Sequence, residues 1–565
     1  MTARRLLLWL TLVLCAGCSG EAQVTADEPV PTAPPNILLI VVDDMGYTDI
    51  GAFGSEIRTP NLDELAFAGV RLTNFHASAQ CAPTRSMLMS GADNHKAGMG
   101  SMFGDNFILG GHGERWGYER YLHPRVASLP ERLRDAGYQT YMAGKWHLGE
   151  DDEKKPTARG FDRSFALMGG SASHMEYRSA TRPAEYRQDG VLLDELPENF
   201  YTTNTYTDKL LEFIEAGREN GKPFFGYLAL TAPHWPLQVP AEYLERYRGN
   251  YDEGYDVLRT RRLDRATELN AVPAVNHELF SPTGVRWEEL DEQEQRYSAR
   301  LMELYAAMLE SADDNIGRVI DYLKDTGEFD NTFVFFMSDN GAEADRDDRN
   351  PTHRGGIARH NYDNSYDNLG TASSWAFIRE GWAQASAAPF RLYKGFLTEG
   401  GTRVPSFAYH ASMQGDRQVN NQYLTVMDVM PTFLELAGAE FDPTMYAGRE
   451  VLPMDGKSFR AIFDDPAAVV HPADEVIASE LHGQRALVRG DYKIVWEQMT
   501  ANIWWDAEEP EHWQRWRLFN IAEDPTEQFD LADSEPELLA ELIGLWENWA
   551  DANDVMKDVT PYWQQ

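Results

Sequence analysis

The sequence predicts an α/β fold: a large, mostly parallel sheet sandwiched by helices, followed by a smaller C-terminal antiparallel sheet with a helix. Four apolar runs have the length and composition of buried parallel strands, and they cover residues 37–42, 139–143, 224–230 and 333–337. Stretches with apolar residues at helical spacing lie at 126–136 and 287–326. Strands that alternate with helices are typical of a parallel sheet covered on both faces.

Polar residues follow each of these four runs. In chain order they are Asp43 and Asp44, Lys145 and His147, His234, and Asp339 and Asn340. Because ligands of open α/β sheets bind beyond the carboxyl ends of the strands, we expect these side chains to converge on one site. Either acidic motif alone is ordinary capping or turn chemistry, but two of them at strand ends favour a metal site. Their oxygen ligands suit one Ca²⁺, or less readily Mg²⁺, and not zinc.

The C-terminal part of the sequence has a different pattern. Short strand-like runs lie at 476–479, 486–489, 492–496 and 516–521, and an amphipathic helix is predicted at 535–552. We therefore expect a large α/β domain over residues 36–450, which holds the site, and a smaller C-terminal α+β subdomain over 451–565. The highly charged segment 246–296 is interpreted as a solvated, helical insertion.

At the N-terminus, basic, apolar and small residues follow one another in the order that is typical of an export signal. Arg4 and Arg5 precede an apolar stretch at 6–14 that is too short to remain in a bilayer as a helix. Small residues then lead to Cys18 in an arrangement that resembles a bacterial lipobox, although Cys15 stands where leucine is usual. Residues 1–18 are thus predicted to be a lipoprotein-type signal peptide and 19–35 a Pro-rich tether. We expect an exported protein, periplasmic or anchored to the outer membrane through Cys18, with plain cleavage as the alternative.

The composition excludes one class of partner. The chain has 51 basic and 90 acidic residues, a formal net charge of −39, so it would repel the phosphates of nucleic acids. We interpret this acidity as a solvated surface. The hydrophobic fraction of 43% and the aromatic fraction of 12% are those of a well-packed globular protein.

Cys81 is the one cysteine of the predicted folded body, since Cys15 and Cys18 lie in the export segment. It stands in the spacing Cys81-x-Pro83-x-Arg85, within the run CAPTRSMLMSG at 81–91. This run resembles the first signature of type I, formylglycine-dependent sulfatases, and GYQTYMAGKWHLG at 137–149 resembles the second. The run KGFLTEGGTRVP at 394–405 also falls in family order. The segments 360–382 and 516–533 resemble bacterial arylsulfatases in particular.

The resemblance implies an alkaline-phosphatase-like fold and a modified nucleophile. Cys81 would be oxidised to formylglycine by a maturation enzyme and hydrated to a diol, with one hydroxyl as nucleophile and the other on Ca²⁺. Attack on a sulfate ester would leave a covalent sulfated hemiacetal, which then expels sulfate. The metal ligands implied by position are Asp43, Asp44, Cys81, Asp339 and Asn340.

The remaining catalytic roles also come from the resemblance. Asp339 would accept the proton of the attacking hydroxyl, and His147 would accept that of the second hydroxyl. Arg85 would pair with the diol and the metal carboxylates. The sulfate oxygens would be held by Lys145, Lys394 and His234, and either His234 or Lys394 would protonate the leaving alcohol.

The sequence thus favours a sulfuric ester hydrolase of the arylsulfatase type, acting on aryl or simple alkyl sulfates. One alternative is a phosphonate or phosphate ester hydrolase of the same superfamily, which can also use formylglycine. The other is a non-catalytic lipoprotein that binds sulfated glycans, although no catalytic position is missing from this chain.

Overall fold

Strongly apolar strands form the centre of a ten-stranded sheet in the computed structural model of this protein. The structure describes residues 34–102, 115–176, 183–273, 279, 283–344, 361–413, 418–497 and 514–557. The predicted signal peptide and lipobox at Cys18, and residues 19–33 of the tether, lie outside these described residues. None of the helices in the described segments has the length and apolarity needed to span a bilayer.

The strands of the described residues are numbered in chain order. They are β1 (Asn36–Asp43), β2 (Val70–Leu72), β3 (Phe75–His76), β4 (Gln139–Lys145), β5 (Arg163–Leu167), β6 (Tyr186–Gln188), β7 (Val191–Leu192), β8 (Phe224–Pro233), β9 (Thr332–Ser338), β10 (Ser406–Tyr409), β11 (Gln418–Asn420), β12 (Leu424–Thr425), β13 (Met445–Tyr446), β14 (Arg449–Glu450), β15 (Val476–Leu481), β16 (Gln484–Arg489), β17 (Tyr492–Trp496) and β18 (Trp516–Asn520).

The α-helices of the same residues are numbered likewise. They are α1 (Pro60–Ala68), α2 (Cys81–Ser90), α3 (Leu129–Asp135), α4 (Thr202–Gly217), α5 (Tyr255–Glu268), α6 (Glu292–Asp325), α7 (Glu380–Ser386), α8 (Glu399–Thr402), α9 (Val429–Leu436), α10 (Ala461–Asp464) and α11 (Pro536–Ala552). The predicted helix at 126–136 is shorter than expected because Ser128 and Glu131 form a capping box that starts it at Leu129.

The large sheet has the strand order β11-β2-β10-β9-β1-β8-β4-β5-β6-β7. Its five central strands, β9, β1, β8, β4 and β5, are all parallel. The four strands predicted from apolar runs are therefore neighbours at the centre of the sheet. This confirms the predicted α/β fold with a mostly parallel sheet.

Strand β1 shows how the sheet is buried on both faces. Leu38, Ile40 and Val42 belong to one apolar core, whereas the alternate residues Ile37, Leu39 and Val41 belong to the other. Successive side chains of a strand point to opposite faces, so helices must cover both. Helices α1, α4 and α6 contribute to the first core, and α2, α3 and α9 to the second.

The predicted C-terminal sheet is also confirmed, with antiparallel strands in the order β15-β16-β17-β18. One face packs against Trp546 and other residues of α11. The opposite face, which includes Leu481 and Phe519, packs against Ala79 and Leu397 of the large body. These two contacts lie close in sequence to Cys81 and Lys394. The domain boundary near residue 450 stays a prediction.

Buried charged residues join the C-terminal sheet to the large body. This interface cluster consists of His76, Arg391, Glu399, Arg403, Lys493, Glu497 and Glu527. The ammonium of Lys493 lies 2.7 Å from Glu399 and 2.9 Å from Glu527. Arg391 pairs with Glu497, and Arg403 and His76 both contact Glu399. Burial opposes ionisation of Glu399, but Lys493 and His76 lower its pKa well below the ordinary value.

The expectation for the charged segment 246–296 holds only in part. Its described residues contain the helix α5, and most of their charged side chains are exposed, but one face of α5 is buried. Its Arg262 is fully buried, and the guanidinium lies 2.5 Å from Asp49 and 2.8 Å from Glu56. The two carboxylates lie 6 and 13 residues after the end of β1, so they supply the compensating charge from a distant part of the sequence.

Candidate active site

Two neighbouring parallel strands bring the acidic motifs together. Asp43 ends β1 and Asp339 directly follows β9, and these strands pair in register. The backbone amide of Asp44 donates to Asp339 Oδ1 at 3.3 Å, and Asn340 Nδ2 donates to Asp44 Oδ1 at 2.7 Å. Asp44 has a positive φ of 67°, which non-glycine residues rarely adopt and which is common at functional sites.

Helix α2 presents Cys81 and Arg85 to the same point. Cys81 is its first residue and is 1% exposed, and Arg85 follows one turn later on the same face. The Arg85 guanidinium donates to Asp339 Oδ2 through Nε at 2.9 Å and lies 2.7 Å from it through Nη2. The Cys81 sulfur is 3.8 Å from Asp44 Oδ1. Cys81 is the free cysteine of the described residues.

Two buried lysines add positive charge beside Asp43 and Asp44. Lys145, at the end of β4, donates to Asp43 Oδ2 at 2.6 Å, and Lys394 donates to Asp44 Oδ1 at 2.7 Å. Burial opposes protonation of both lysines, but the nearby carboxylates, Asp43 and Asp44 respectively, raise the pKa of each above its ordinary value. Both groups are therefore cations at neutral pH.

His234 follows β8 and turns its ring toward the aspartates. Its Nδ1 lies 2.7 Å from the carbonyl of Trp235 and its Nε2 lies 3.5 Å from Asp44 Oδ2. Burial lowers the pKa of His234 well below the usual value.

His147 lies two residues beyond Lys145 and is half-buried, with a positive φ of 56°. A side chain at Gly170 would meet the imidazole, since an added Cβ would lie 2.4 Å from its Cε1. The structure places His147 at the same sheet edge, and its catalytic role stays a prediction.

We name these residues the strand-end cluster: Asp43, Asp44, Cys81, Arg85, Lys145, His234, Asp339, Asn340 and Lys394. Ligand atoms of Asp43, Asp44, Cys81 and His234 all lie within 4.8 Å of one another, a spacing that could hold a metal ion. Buried Asp43 Oδ1, Asp44 Oδ2 and Asn340 Oδ1 make no hydrogen bond within the described residues. A bound cation is one way to satisfy such buried oxygens, and carboxylate and amide oxygens are ligands that Ca²⁺ accepts.

The charges of the cluster shift the pKa values of its acids in opposite directions. Burial opposes ionisation of Asp44, but His234, Lys394 and Lys145 lower its pKa below the ordinary value. Burial and the neighbouring Asp43 raise the pKa of Asp339 to about 6. Burial also raises the pKa of the Cys81 thiol well above its usual range, so the unmodified side chain is a protonated, weakly nucleophilic thiol.

Three further side chains that the sequence analysis did not identify contact this cluster. The Arg85 guanidinium donates to Tyr227 Oη at 3.2 Å, Glu343 Oε2 lies 2.8 Å from Lys394 Nζ, and Tyr305 Oη donates to the carbonyl of Asp44 at 3.1 Å. Tyr227 and Tyr305 looked like core residues of an apolar strand and helix. Glu343 could have been identified from the sequence as a residue near the site, because it stands only three residues after Asn340.

His174 supports His234 from outside the cluster. Burial lowers the pKa of His174 to about 4, so its ring is neutral and carries one N–H. Its Nε2 lies 2.9 Å from the carbonyl of His234 and must donate, so Nδ1 accepts from Thr202 Oγ1 at 2.6 Å.

Comparison with known proteins gives the same assignment as the cysteine signature. The family profile described as Sulfatase matches residues 35–439, which include every residue of the strand-end cluster. The chain belongs to the sulfatase family. It is thus a sulfuric ester hydrolase by family, and the predicted resemblance is confirmed.

Two curated relatives show how far the similarity of this sulfatase extends. An uncharacterized sulfatase of Schizosaccharomyces pombe is 43% identical over 531 residues, covering 91% of this chain and 92% of the relative. The arylsulfatase of Klebsiella aerogenes is 37% identical over 445 residues, covering 76% of this chain and 92% of the relative.

Solved structures support the fold of this sulfatase. The crystal structure of Ps i-CgsB superposes with a TM-score of 0.64 and covers 93% of this chain and 94% of the other, at 23% identity. At that identity the likeness shows the shared fold and leaves the substrate open.

Proposed function

We propose that this sulfatase hydrolyses aryl or simple alkyl sulfate monoesters to an alcohol or phenol and inorganic sulfate, with Cys81 as formylglycine and one bound Ca²⁺. The observation that carries the proposal is the position of Cys81. Its sulfur is buried at a helix N-terminus, 3.8 Å from Asp44, among two lysines, one arginine and a histidine. When Cys81 carries the formylglycine diol, that group supplies both the attacking hydroxyl and the hydroxyl whose deprotonation releases sulfate.

The residues around Cys81 suit the loose, anionic transition state of sulfate ester cleavage. Lys145, Lys394 and His234 hold the sulfate oxygens, so preorganised positive charge stabilises the transition state. Arg85 fixes the orientation of Asp339, which accepts a proton at Oδ1 or Oδ2. His147 accepts the second proton, and His234 or Lys394 protonates the leaving oxygen.

The proposed metal ligands are Asp43, Asp44, Asp339 and Asn340, together with modified Cys81. Lys145 occupies one oxygen of Asp43 and Lys394 one oxygen of Asp44, and within the described residues the other oxygen of each carboxylate is buried without a hydrogen bond. A bound Ca²⁺ would supply the charge that favours ionisation of a neighbouring hydroxyl. We expect EGTA to abolish sulfatase activity and lower the melting temperature, and Ca²⁺ to restore both better than Mg²⁺. Full activity in metal-free protein would contradict this proposal.

Two measurements test the proposed function. The first is the mass of the tryptic peptide 72–85 from protein made in its native host, which we expect to carry an aldehyde or its hydrate at Cys81. The second compares kcat/KM for an aryl sulfate with that for the matching aryl phosphate and phosphonate. A preference for the phosphate or phosphonate would favour the hydrolase alternative. Binding without turnover by matured protein would favour the glycan-binding alternative, and an unmodified thiol would exclude this mechanism in that host.

We also propose that the protein is exported and anchored to the outer membrane by a lipid on Cys18. The support is the order of Arg4, Arg5, the apolar stretch 6–14 and the lipobox-like residues before Cys18. Fractionation of the native host with and without Cys18→Ala tests it. We expect the variant to move from the membrane fraction to the periplasm. An unchanged distribution would contradict lipid anchoring and leave plain cleavage.

A further inference from the structure

Lys394 lies between two carboxylates, only one of which belongs to the proposed metal ligands. Its ammonium is 2.7 Å from Asp44 Oδ1 and 2.8 Å from Glu343 Oε2. The Lys394 side chain is 2% exposed and that of Glu343 is 12% exposed, so Glu343 is the more accessible of the pair. The backbone amide of Ala344 donates to Glu343 Oε1 at 3.2 Å and so holds the carboxylate in place.

Glu343 changes the balance of charge that the site offers to an anion. Among the side chains of the strand-end cluster, and apart from the proposed Ca²⁺, Asp43, Asp44 and Asp339 are matched in number by the cations Arg85, Lys145 and Lys394. Glu343 adds a fourth carboxylate, and it contacts a lysine that is assigned to hold the sulfate oxygens. An anion bound by Lys394 therefore meets a neighbouring negative charge as well as the ammonium.

The proposed substrate and its competitors differ by one unit of charge. A sulfate monoester is a monoanion, whereas inorganic sulfate and, above its second pKa near 6, a phosphate monoester are dianions. The second negative charge interacts unfavourably with Glu343 in a partly desolvated site. At a separation of several ångströms and an effective dielectric constant of about 20, this repulsion corresponds to roughly a tenfold to hundredfold difference in affinity.

We propose that Glu343 is a specificity-determining residue that makes this site select monoanionic esters over dianions. Through its pairing with Lys394 it disfavours phosphate monoesters and weakens retention of the dianionic product, inorganic sulfate. This inference rests on the proposed sulfate ester hydrolase function of the same site. It concerns the charge of the ligand and leaves the alcohol portion open.

The experiment compares Glu343→Gln with the wild-type holoenzyme at pH 8. For matching aryl esters, we expect the ratio of kcat/KM for phosphate over sulfate to rise at least tenfold in the variant. By isothermal titration calorimetry, we expect inorganic sulfate to bind at least tenfold more tightly to the variant. A ratio within twofold of wild type, with both rates falling in parallel, would overturn the proposal and leave Glu343 with a purely positional effect on Lys394.

Two matched variants separate charge from structure. Glu343→Asp keeps the negative charge, and we expect its phosphate-to-sulfate ratio to stay within threefold of wild type. Glu303 is another buried glutamate, paired with Arg300 at 2.8 Å outside the strand-end cluster, so Glu303→Gln controls for removal of a buried charge. If Glu343→Gln does not fold, Glu343→Ala makes the same charge change. An unchanged ratio in whichever neutral variant folds overturns the proposal.

The two proposals fail in different ways. If matured wild-type protein cleaves no sulfate ester, the proposed function fails, and calorimetry with inorganic sulfate still measures the effect of Glu343 on dianion binding. If the wild type cleaves aryl sulfates and the neutral variants keep its selectivity and sulfate affinity, only the role of Glu343 is wrong.

Discussion

The strand-end cluster and the interface cluster are both buried and both hold lysine, arginine and carboxylate side chains, but they are built differently. In the interface cluster, one ammonium, that of Lys493, joins Glu399 and Glu527 at 2.7 and 2.9 Å. In the strand-end cluster, carboxylates also meet a thiol and an amide, and ligand atoms of four residues lie within 4.8 Å of one another. Within the described residues, Asn340 Oδ1 is buried without a hydrogen bond, whereas the glutamate oxygens of the interface cluster that lack one lie beside a cation.

The difference shows how a buried charge network that stabilises the fold can be distinguished from one suited to catalysis. The interface cluster joins oppositely charged side chains of the large body and of the C-terminal part. The strand-end cluster combines a nucleophile position, proton acceptors and oxygens left for a cation at the carboxyl ends of parallel strands. Removing a charge should therefore affect stability in the first cluster and activity in the second.

The largest expected effect is in the strand-end cluster. We expect Cys81→Ser to reduce kcat for aryl sulfates by at least about 10³-fold, because serine provides only one hydroxyl. The melting temperature should remain within a few degrees of wild type, since the two side chains differ little in volume. Activity assays and thermal unfolding of the same preparations check both points. Comparable loss of activity and of stability would place Cys81 among the structural residues instead.

The matching experiment in the interface cluster is Lys493→Met. It leaves Glu399 and Glu527 buried without their shared cation, which we expect to destabilise the fold by about 3–5 kcal/mol. Urea unfolding measures the change, and kcat of the remaining folded protein should stay near that of wild type. Lys557→Met is the control, because Lys557 pairs with Glu547 and Asp551 at a partly exposed position worth about 0–1 kcal/mol. Equal effects of the two variants would contradict a stabilising role for the interface cluster.

A second ionic contact between the body and the C-terminal sheet makes stability depend on pH. His95 is buried, with Nδ1 3.0 Å from Asp93 and Nε2 3.0 Å from Glu480. Burial opposes its protonation, but the two carboxylates raise the pKa of His95 to about 9. A raised pKa stabilises the fold fully below the unfolded value near 6.5, and this contribution is lost as the pH rises from there through about 9.

We expect this contact to contribute about 3 kcal/mol below pH 6.5 and little above pH 9. His95→Gln should flatten the fall of unfolding free energy over this interval. Urea unfolding of wild type and variant at a series of pH values is the measurement. Parallel pH profiles would show that another group carries the dependence.

The smallest expected effect concerns His174, which donates a hydrogen bond to the carbonyl of His234 at 2.9 Å. His174→Phe removes this bond and the one with Thr202, at a cost of about 1 kcal/mol each. We expect kcat to fall up to about tenfold with at most a small rise in KM, because His234 loses its orientation while the two lysines keep their contacts with the sulfate oxygens. A rise in KM alone would indicate a different role.

The strand-end cluster was largely predictable from sequence because its residues directly follow recognisable strands. Asp43, Lys145, His234 and Asp339 all come at or just after the ends of apolar runs that lie side by side in the sheet. Cys81 and Lys394 do not follow such runs, and only the family resemblance identified them. The roles of individual residues, unlike their positions, stay predictions.

The interface cluster and Arg262 could not be predicted, because nothing local in the sequence marks a buried ion pair. Lys493 stands on a short strand-like run, and its partner Glu399 lies 94 residues away. Arg262 lies in a helix rich in charged residues, where periodicity alone favours a solvated face. Burial of such a group depends on carboxylates that tertiary packing brings to it, as Asp49 and Glu56 are brought to Arg262.

The contact of the C-terminal sheet with Ala79 and Leu397 limits when the Cys81 side chain is accessible during folding. The segment that carries Cys81 is covered by strands made only after about residue 476, and in the finished fold Cys81 is 1% exposed. If Cys81 is oxidised to formylglycine as proposed, the modifying enzyme must reach a side chain that is buried in the finished fold. We therefore expect this modification to precede docking of strands β15–β18 onto the large body.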